Sequence, residues 1–189
     1  EVYGALDRPA HEDDAARPQS VYAASKAGAE VAALAVWRRT GLWVAVARPF
    51  THTGPGQLDR FLVPALINRL RDAARTGRDV IPVGNLAPVR DFTDVRDVVA
   101  AYRLLVERGE AGATYNVARG EGIRLSDLFA RIAEVMGVPA RGEPDPALLR
   151  RADLPYLVGD STRLRRATGW APALSIDQTL QDMVDAKAH

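Results

Sequence analysis

The chain has 189 residues, of which 47% are hydrophobic and 26% are charged, and its formal net charge is +1. This composition fits a globular core, and a nearly neutral chain gives no reason to expect nucleic acid as a partner. The absence of cysteine excludes disulfides and thiolate metal sites, and the three histidines are too dispersed to indicate a metal cluster. No apolar run approaches the roughly twenty residues that span a bilayer, so we expect a cytoplasmic protein without a membrane partner.

Helical and strand patterns alternate along the chain, which indicates an α/β fold. Apolar residues recur at helical spacing from about residue 20, and Gly41 ends this first helix. The near-continuous apolar run 42–47 follows at once and predicts a parallel strand that is covered on both faces. Residues 51–57 contain two glycines and a proline and are predicted to form a loop.

The remaining elements continue the alternation. We predict helices at 58–76, from a cap at Asp94 to about 108, at about 125–136, 161–168 and 176–186, a helical turn at 146–149, and strands at 80–83, 89–93 and 114–118. Beyond about residue 120 the chain contains more helix and loop than strand, which favours a smaller second lobe. Asp94 and Asp97 are interpreted as a helix cap and a first-turn charge, and we expect no metal site.

Tyr22 and Lys26 are the most informative pair in the sequence. They are four residues apart within the first predicted helix, so their side chains share one face. A phenol is a reluctant proton donor at neutral pH, but a neighbouring ammonium favours the phenolate where water is partly excluded. Such a pair suits the interconversion of a carbonyl and an alcohol beside a nicotinamide. By itself the spacing is a weak pattern, because an exposed helical pair has the same sequence.

Four further segments give the pair its significance. They are RPFTHTGPGQ at 48–57, VGNL at 83–86 followed by RDFTDVRD at 90–97, YNV at 115–117, and LRRADLP at 149–155 leading to GD at 159–160 and TGW at 168–170. In this order, and together with Tyr22 and Lys26, they resemble the extended short-chain dehydrogenase/reductases that act on nucleotide sugars. The loop 52–57 most resembles that of the GDP-4-keto-6-deoxy-mannose reductases, whose near relatives are the GDP-mannose 4,6-dehydratases.

The resemblance implies roles for individual residues. Tyr22 and Lys26 would be catalytic and would also contact the cofactor, NADP or NAD, together with Pro49, Phe50 and the backbone of His52. Glu1 occupies a catalytic-group position, where it serves either as a base at the sugar ring or in polar positioning.

The resemblance also implies a substrate site. Thr51, Asn85, Arg90, Arg150 and Asp153 would bind a GDP-sugar, with the two arginines on the diphosphate, since a guanidinium presents a fork of donors to phosphate oxygens. Relatives usually have Asn in place of Thr51, and a hydroxyl replaces only one of the hydrogen bonds of an amide.

The resemblance further implies a divided architecture. Residues 1–120 would form the C-terminal part of a Rossmann-like domain, with substrate-lobe insertions around 58–93, and residues 121–189 would form mainly the substrate-binding lobe. No glycine-rich dinucleotide fingerprint is found in the sequence. We therefore expect this chain to be the C-terminal portion of an enzyme and to be inactive alone. The helix of Tyr22 and the helix beginning near residue 58 are candidates for a four-helix homodimer interface.

Three functions remain open from the sequence. The first is NAD(P)H-dependent reduction of a GDP-4-keto-6-deoxy sugar to a GDP-rhamnose type of product. The second is a dehydratase or 4-epimerase that carries its cofactor through a cycle without net oxidation. The third is a non-catalytic remnant that binds nucleotide sugars and lacks the cofactor half.

Overall fold

The computed structural model of the chain describes residues 1–149 and 154–186. Its helices are α1 (Val21–Thr40), α2 (Leu62–Thr76), α3 (Val95–Arg108), α4 (Leu125–Val135), α5 (Thr162–Thr168) and α6 (Ile176–Asp185), with a short 3-10 helix at Pro146–Leu148. Its strands are β1 (Val46–Pro49), β2 (Thr51–Thr53), β3 (Val80–Val83), β4 (Val89–Asp94), β5 (Thr114–Val117), β6 (Gly122–Arg124), β7 (Arg141–Pro144) and β8 (Tyr156–Leu157).

The strands form small and mostly parallel sheets, which confirms the α/β class. β1 pairs in parallel with β5, and β3 pairs in parallel with β7. β4 is the centre of the third sheet, where it lies parallel to β2 and β8 and antiparallel to β6. Because β1 runs directly into β2, the chain passes from the first sheet to the third beside residue 50.

Most predicted helix ends agree with the structure because they carry local signals. Gly41 and Gly77 end α1 and α2 in the left-handed conformation, with φ values of 73° and 68°. The carboxylate of Asp94 accepts the backbone N–H of Arg96 at 2.8 Å, which confirms the predicted cap of α3. The predicted start of α2 at residue 58 is wrong, since the helix begins at Leu62.

Two predictions around β1 also need correction. The strand was expected at 42–47 but occupies Val46–Pro49, because its ladder to β5 begins only at Val46 and Thr114. Residues 51–57 were expected to be loop throughout, yet Thr51–Thr53 forms β2 beside β4. Neither correction moves residues 49–57 away from the carboxyl end of β1, where a parallel sheet places its ligand crevice.

The buried side chains form three clusters. The largest lies between α2, α4 and α6 and one face of β3 and β4, and includes Leu66, Leu70, Phe92, Leu128, Ile132 and Leu180. A second joins α3 and α5 to β5 through Val98, Leu105, Tyr115, Leu164 and Trp170. The third is small and gathers Tyr3, Ala10, Phe50, Ala118 and Leu157 at the ends of β1 and β5. The segments 63–92 and 123–183 therefore share one core although thirty residues separate them in sequence.

Helix α1 packs much less than the others. Ala23 is its only buried residue, and Val21 and Val31 are 90% and 67% exposed. Burial of an apolar stripe normally holds a helix on its domain, so α1 must be held in another way.

Two kinds of feature are absent from the described residues. No helix in the ranges 1–149 and 154–186 is long and apolar enough to cross a membrane. Within the same ranges, no cluster of three or more His, Cys, Asp or Glu side chains is arranged to hold a metal ion.

Candidate active site

The first turns of α1 carry the predicted proton-transfer pair. Ser20 caps the helix by accepting the N–H of Ala23 at 3.1 Å, so helical geometry is established before Tyr22. The ammonium of Lys26 lies 5.4 Å from the centre of the Tyr22 ring. The structure therefore brings the two side chains together. Tyr22 is 62% exposed, so the partial exclusion of water expected from the sequence is not provided by the residues described.

The segment after β1 presents the second group of predicted residues. Phe50 is 7% exposed and stacks on Tyr3, with ring centres 6.3 Å apart, which fixes the chain as it leaves the sheet. Thr51 and His52 follow on β2, next to Phe92 and Thr93 of β4. Nδ1 of His52 lies 3.0 Å from the carbonyl oxygen of Phe50. When that nitrogen carries the proton it donates to the carbonyl, and Nε2 is then left as an acceptor.

Strand β4 carries Arg90 beside this segment. Nη1 of Arg90 donates to the carbonyl oxygen of Val89 at 2.9 Å, and the side chain is partly buried. Loss of hydration lowers the pKa of the Glu1 amino group, and the positive charges of Arg48 and Arg90 act in the same direction. Glu1 is exposed, and the role of its carboxylate stays a prediction.

The other predicted substrate residues are less closely connected. Asn85 is exposed in the turn after β3, where its Oδ1 accepts the N–H of Ala87 at 3.0 Å. This bond orders the turn. Arg150 and Asp153 lie outside the described residues.

Asp91 is a buried carboxylate whose structural role the sequence did not reveal. It is completely buried and accepts the backbone N–H groups of Arg119, Gly120 and Gly159 at 2.9, 2.8 and 3.3 Å. Burial raises the pKa of Asp91 to about 6, while the three amides oppose that rise by favouring the charged form. Asp91 therefore ties the loops after β5 and β8 to the strand of Arg90.

An open pocket lies elsewhere. It has a volume of about 390 Å³ and is lined by Arg119, Asp160 and Arg165, among others, but by none of the predicted site residues. Its arginines are already engaged, since Arg119 donates to the carbonyl of Leu174 and Arg165 to the carbonyl of Arg119, both at 2.8 Å. We therefore place the candidate site at Tyr22, Lys26 and the 49–53 segment, and not at this pocket.

Comparison with known proteins identifies the family of this chain. The family described as GDP-mannose 4,6 dehydratase matches residues 1–183. The chain is 39% identical over 188 residues to the GDP-6-deoxy-D-mannose reductase of Pseudomonas aeruginosa, covering 96% of this chain and 61% of the relative. The chain belongs to the extended short-chain dehydrogenase/reductases, the NAD-dependent epimerase/dehydratase family. The resemblance drawn from the motifs is thereby confirmed.

Solved structures of epimerase/dehydratase family members share the fold. The structure of RMD from Pseudomonas aeruginosa complexed with NADPH matches with a TM-score of 0.89 and 37% identity, covering 97% of this chain and 62% of that chain. The dTDP-glucose 4,6-dehydratase DesIV from Streptomyces venezuelae, with NAD and TYD bound, matches with a TM-score of 0.85 and 28% identity, covering 97% and 56%. This chain therefore spans about three fifths of the length of the relatives that it matches.

Proposed function

We propose that this chain supplies the proton-transfer pair and much of the sugar-nucleotide site for the NAD(P)H-dependent reduction of a GDP-4-keto-6-deoxy sugar. The observation that carries the proposal is the meeting of Tyr22 and Lys26 on one exposed face of α1. The reductase from Pseudomonas aeruginosa, at 39% identity, supports the substrate class. The match to RMD, solved with NADPH, supports a nicotinamide cofactor and leaves NADP and NAD both open.

The exposed pair fits the nicotinamide end of such a cofactor. Both side chains are exposed, so the phenol and the ammonium are accessible to ribose hydroxyls and to a substrate carbonyl. Pro49, Phe50 and His52 lie where the chain leaves β1, at the edge where parallel sheets bind ligands. A bound nicotinamide would supply the hydride, and its ring would exclude part of the water that now reaches Tyr22.

The chain's own residues would then handle the proton. The Tyr22 hydroxyl donates to the substrate C4 oxygen as that oxygen becomes an alkoxide. The ammonium of Lys26 stabilises the phenolate that remains, because opposite charges on one helix face attract most strongly where water is excluded. General acid catalysis of this kind contributes roughly a hundred- to ten-thousandfold in rate.

Arg90 is the described residue best suited to the diphosphate. Its guanidinium offers several donors, of which Nη1 binds the carbonyl of Val89. Thr51 and the amide of Asn85 would add hydrogen bonds to the sugar and the base. Arg150 and Asp153 keep the roles implied by family membership as part of this proposal. A homodimer through α1 also stays a prediction, supported by its exposed Val21 and Val31.

A 4,6-dehydratase is the second candidate. The family match itself carries that description, and a dTDP-glucose 4,6-dehydratase of Streptomyces griseus is 34% identical over 178 residues. Glu1 is the residue whose carboxylate would act as the base at the sugar ring. Such an enzyme would convert GDP-mannose into a 4-keto product without consuming added reductant.

Two assays test these proposals. The reductase proposal expects the full-length protein that contains this chain to reduce GDP-4-keto-6-deoxy-mannose with stoichiometric loss of NADPH absorbance. Formation of a 4-keto sugar from GDP-mannose without added reductant would favour the dehydratase instead. Calorimetry with GDP and with NADPH separates the non-catalytic alternative, for which GDP binding without NADPH binding or turnover is the expected result.

A further inference from the structure

The attachment of α1 to the rest of the molecule is unusually sparse. Ala23 is its one buried residue, and the described part of the chain covers little of its apolar surface. Near the C-terminal end, the ring of Trp37 packs directly on Gly112. Ala27, Glu30 and Leu34, which lie between these two contacts, are only partly buried, so a polar contact at Glu30 can contribute to fixing the rotation of α1 about its axis.

Glu30 and Arg48 provide such a contact in the middle of α1. Nε of Arg48 donates to the carboxylate of Glu30 at 2.9 Å, and Nη2 donates to its second oxygen. The two side chains are only 13% and 14% exposed, respectively. A paired fork of two hydrogen bonds fixes direction as well as distance, which a lysine ammonium would not do.

The Arg48 side chain is itself fixed by the sheet. Its Nη1 donates to the hydroxyl of Tyr3 at 2.7 Å, and that hydroxyl donates to Oδ1 of Asn116 at 2.5 Å. Arg48 and Asn116 are partners in the β1–β5 ladder, so the contact spans both strands. Asn116 is completely buried and also donates to the carbonyl of Ala10 at 2.9 Å. The carboxylate of Glu30 is thus connected to a rigid part of the molecule.

Glu30 lies on the same stripe of α1 as the proton-transfer pair. Tyr22, Lys26 and Glu30 follow one another at intervals of four residues. At 3.6 residues per turn, each interval rotates the side chain by only about 40°. An interaction that fixes the direction of Glu30 therefore fixes the directions of Lys26 and Tyr22.

We propose that Glu30 and Arg48 are positioning residues, whose ion pair sets the rotation of α1 and so orients Tyr22 and Lys26 toward the carboxyl end of β1. The positioning role of Glu30 and Arg48 rests on the function proposed above, whereas the orientation of α1 can be measured independently of that function. Neither residue touches the reacting atoms.

The orientation of α1 can be measured with two spin labels, because the chain has no cysteine of its own. Gly28→Cys places one label on α1, where a side chain meets nothing within 4 Å, and Val106→Cys places the other on α3, where Val106 is 73% exposed. Pulsed electron spin resonance of the labelled chain is expected to give one narrow distance distribution. Glu30→Gln should broaden or shift it.

A control and a second variant make this result specific. Glu107→Gln removes an exposed ion pair of α3, with Arg103 at 3.8 Å, and should leave the distribution unchanged. Arg48→Lys, which keeps the charge and removes the paired fork, should broaden or shift the distribution as Glu30→Gln does. Circular dichroism identifies any variant that fails to fold. In that event Glu30→Asp, which keeps the charge and shortens the reach, takes the place of Glu30→Gln.

An unchanged distribution in a folded Glu30→Gln or Glu30→Asp variant would overturn the proposal. The full-length protein that contains this chain gives a second, kinetic readout. There Glu30→Gln should lower kcat by on the order of tenfold or more while KM changes by less than about twofold, because orientation affects the reacting atoms and not the diphosphate contacts. If the unmutated full-length protein reduces no GDP-sugar, the proposed function fails and the distances alone decide whether the ion pair orients α1.

Discussion

The indole ring of Trp37 occupies the place where any other residue at Gly112 would carry its β-carbon. Gly112 also has a φ of 79°, a left-handed conformation that side chains disfavour. The contact joins the last turns of α1 to the turn before β5, and the N–H of Gly112 donates to the carbonyl of Val44 at 2.7 Å. It is thus one of the few close contacts of α1 with the sheet.

Three glycine substitutions separate backbone strain from this contact. Gly112→Ala should destabilise the chain by about 2–4 kcal/mol, since it combines left-handed strain with a clash. Gly41→Ala, with a φ of 73° and open space around it, should cost only about 1 kcal/mol. Gly28→Ala, inside α1 and also in open space, should stabilise by about 0.5–1 kcal/mol. Urea unfolding measures all three, and equal losses at Gly112 and Gly41 would show that the indole contact is unimportant.

Tyr22→Phe tests the proposed proton donor. The substitution removes only the hydroxyl from an exposed ring, so GDP-sugar binding should persist while turnover falls by about a hundredfold or more. Tyr102→Phe on α3, where the tyrosine is 40% exposed, is the matched control and should leave kcat unchanged. The assay is NADPH consumption with GDP-4-keto-6-deoxy-mannose by the full-length protein that contains this chain. Near-normal turnover by the Tyr22 variant would remove the residue from the mechanism.

Arg90→Gln tests the diphosphate contact. Loss of a charge-assisted contact to phosphate should weaken GDP binding by about ten- to a hundredfold, measured by calorimetry. Arg103→Gln, which removes an exposed guanidinium from α3, should change the affinity little. If both variants lower the affinity for GDP equally, the arginines act through a general electrostatic effect and not through a specific contact. Raising the salt concentration would then abolish the difference in affinity between the variants and the unmutated chain.

Asp91 should give the folding stability a recognisable pH dependence. Its pKa is raised to about 6 in the folded chain, so the folded state holds the proton more tightly than the unfolded state does. The stabilisation by that proton is complete below about pH 4 and is lost as the pH rises through about 6. The raised pKa corresponds to on the order of 3 kcal/mol.

A substitution isolates this contribution from those of the other carboxylates. Asp91→Asn removes the titration, so the stability of the unmutated chain relative to this variant should fall between about pH 4 and pH 7. Urea unfolding at intervals across that range provides the measurement. Asp59→Asn, at an exposed position, is the control substitution. If the difference in unfolding free energy between the unmutated chain and Asp91→Asn does not change with pH, the three amides hold the pKa of Asp91 near its ordinary value.

The sequence revealed those parts of the fold that depend on nearby residues. Helix ends at Gly41 and Gly77 and the cap at Asp94 follow from local backbone chemistry, and all three are confirmed. The strands that were missed, β2, β6, β7 and β8, have two to four residues each. Segments this short have no periodicity of their own, and they become strands only because the fold brings distant partners alongside.

The same distinction applies to the candidate site. Tyr22 and Lys26 could be paired from the sequence because helix geometry alone brings residues four apart together. The link between Glu30 and Arg48 could not, since it joins a helix to a strand eighteen residues away. The contacts of Asp91 with Gly120 and Gly159 span still longer separations, and no local pattern marks a carboxylate that binds backbone amides.

The largest core also determines when folding of this molecule can finish during its synthesis. Val63 and Leu66 of α2 pack in the same cluster as Leu180 and Met183 of α6. A nascent chain that has left the ribosome only as far as α4 still exposes the apolar surface that α6 will cover. Burial of that surface must therefore wait until translation has passed Met183, so the largest core is completed only after α6 has been synthesised.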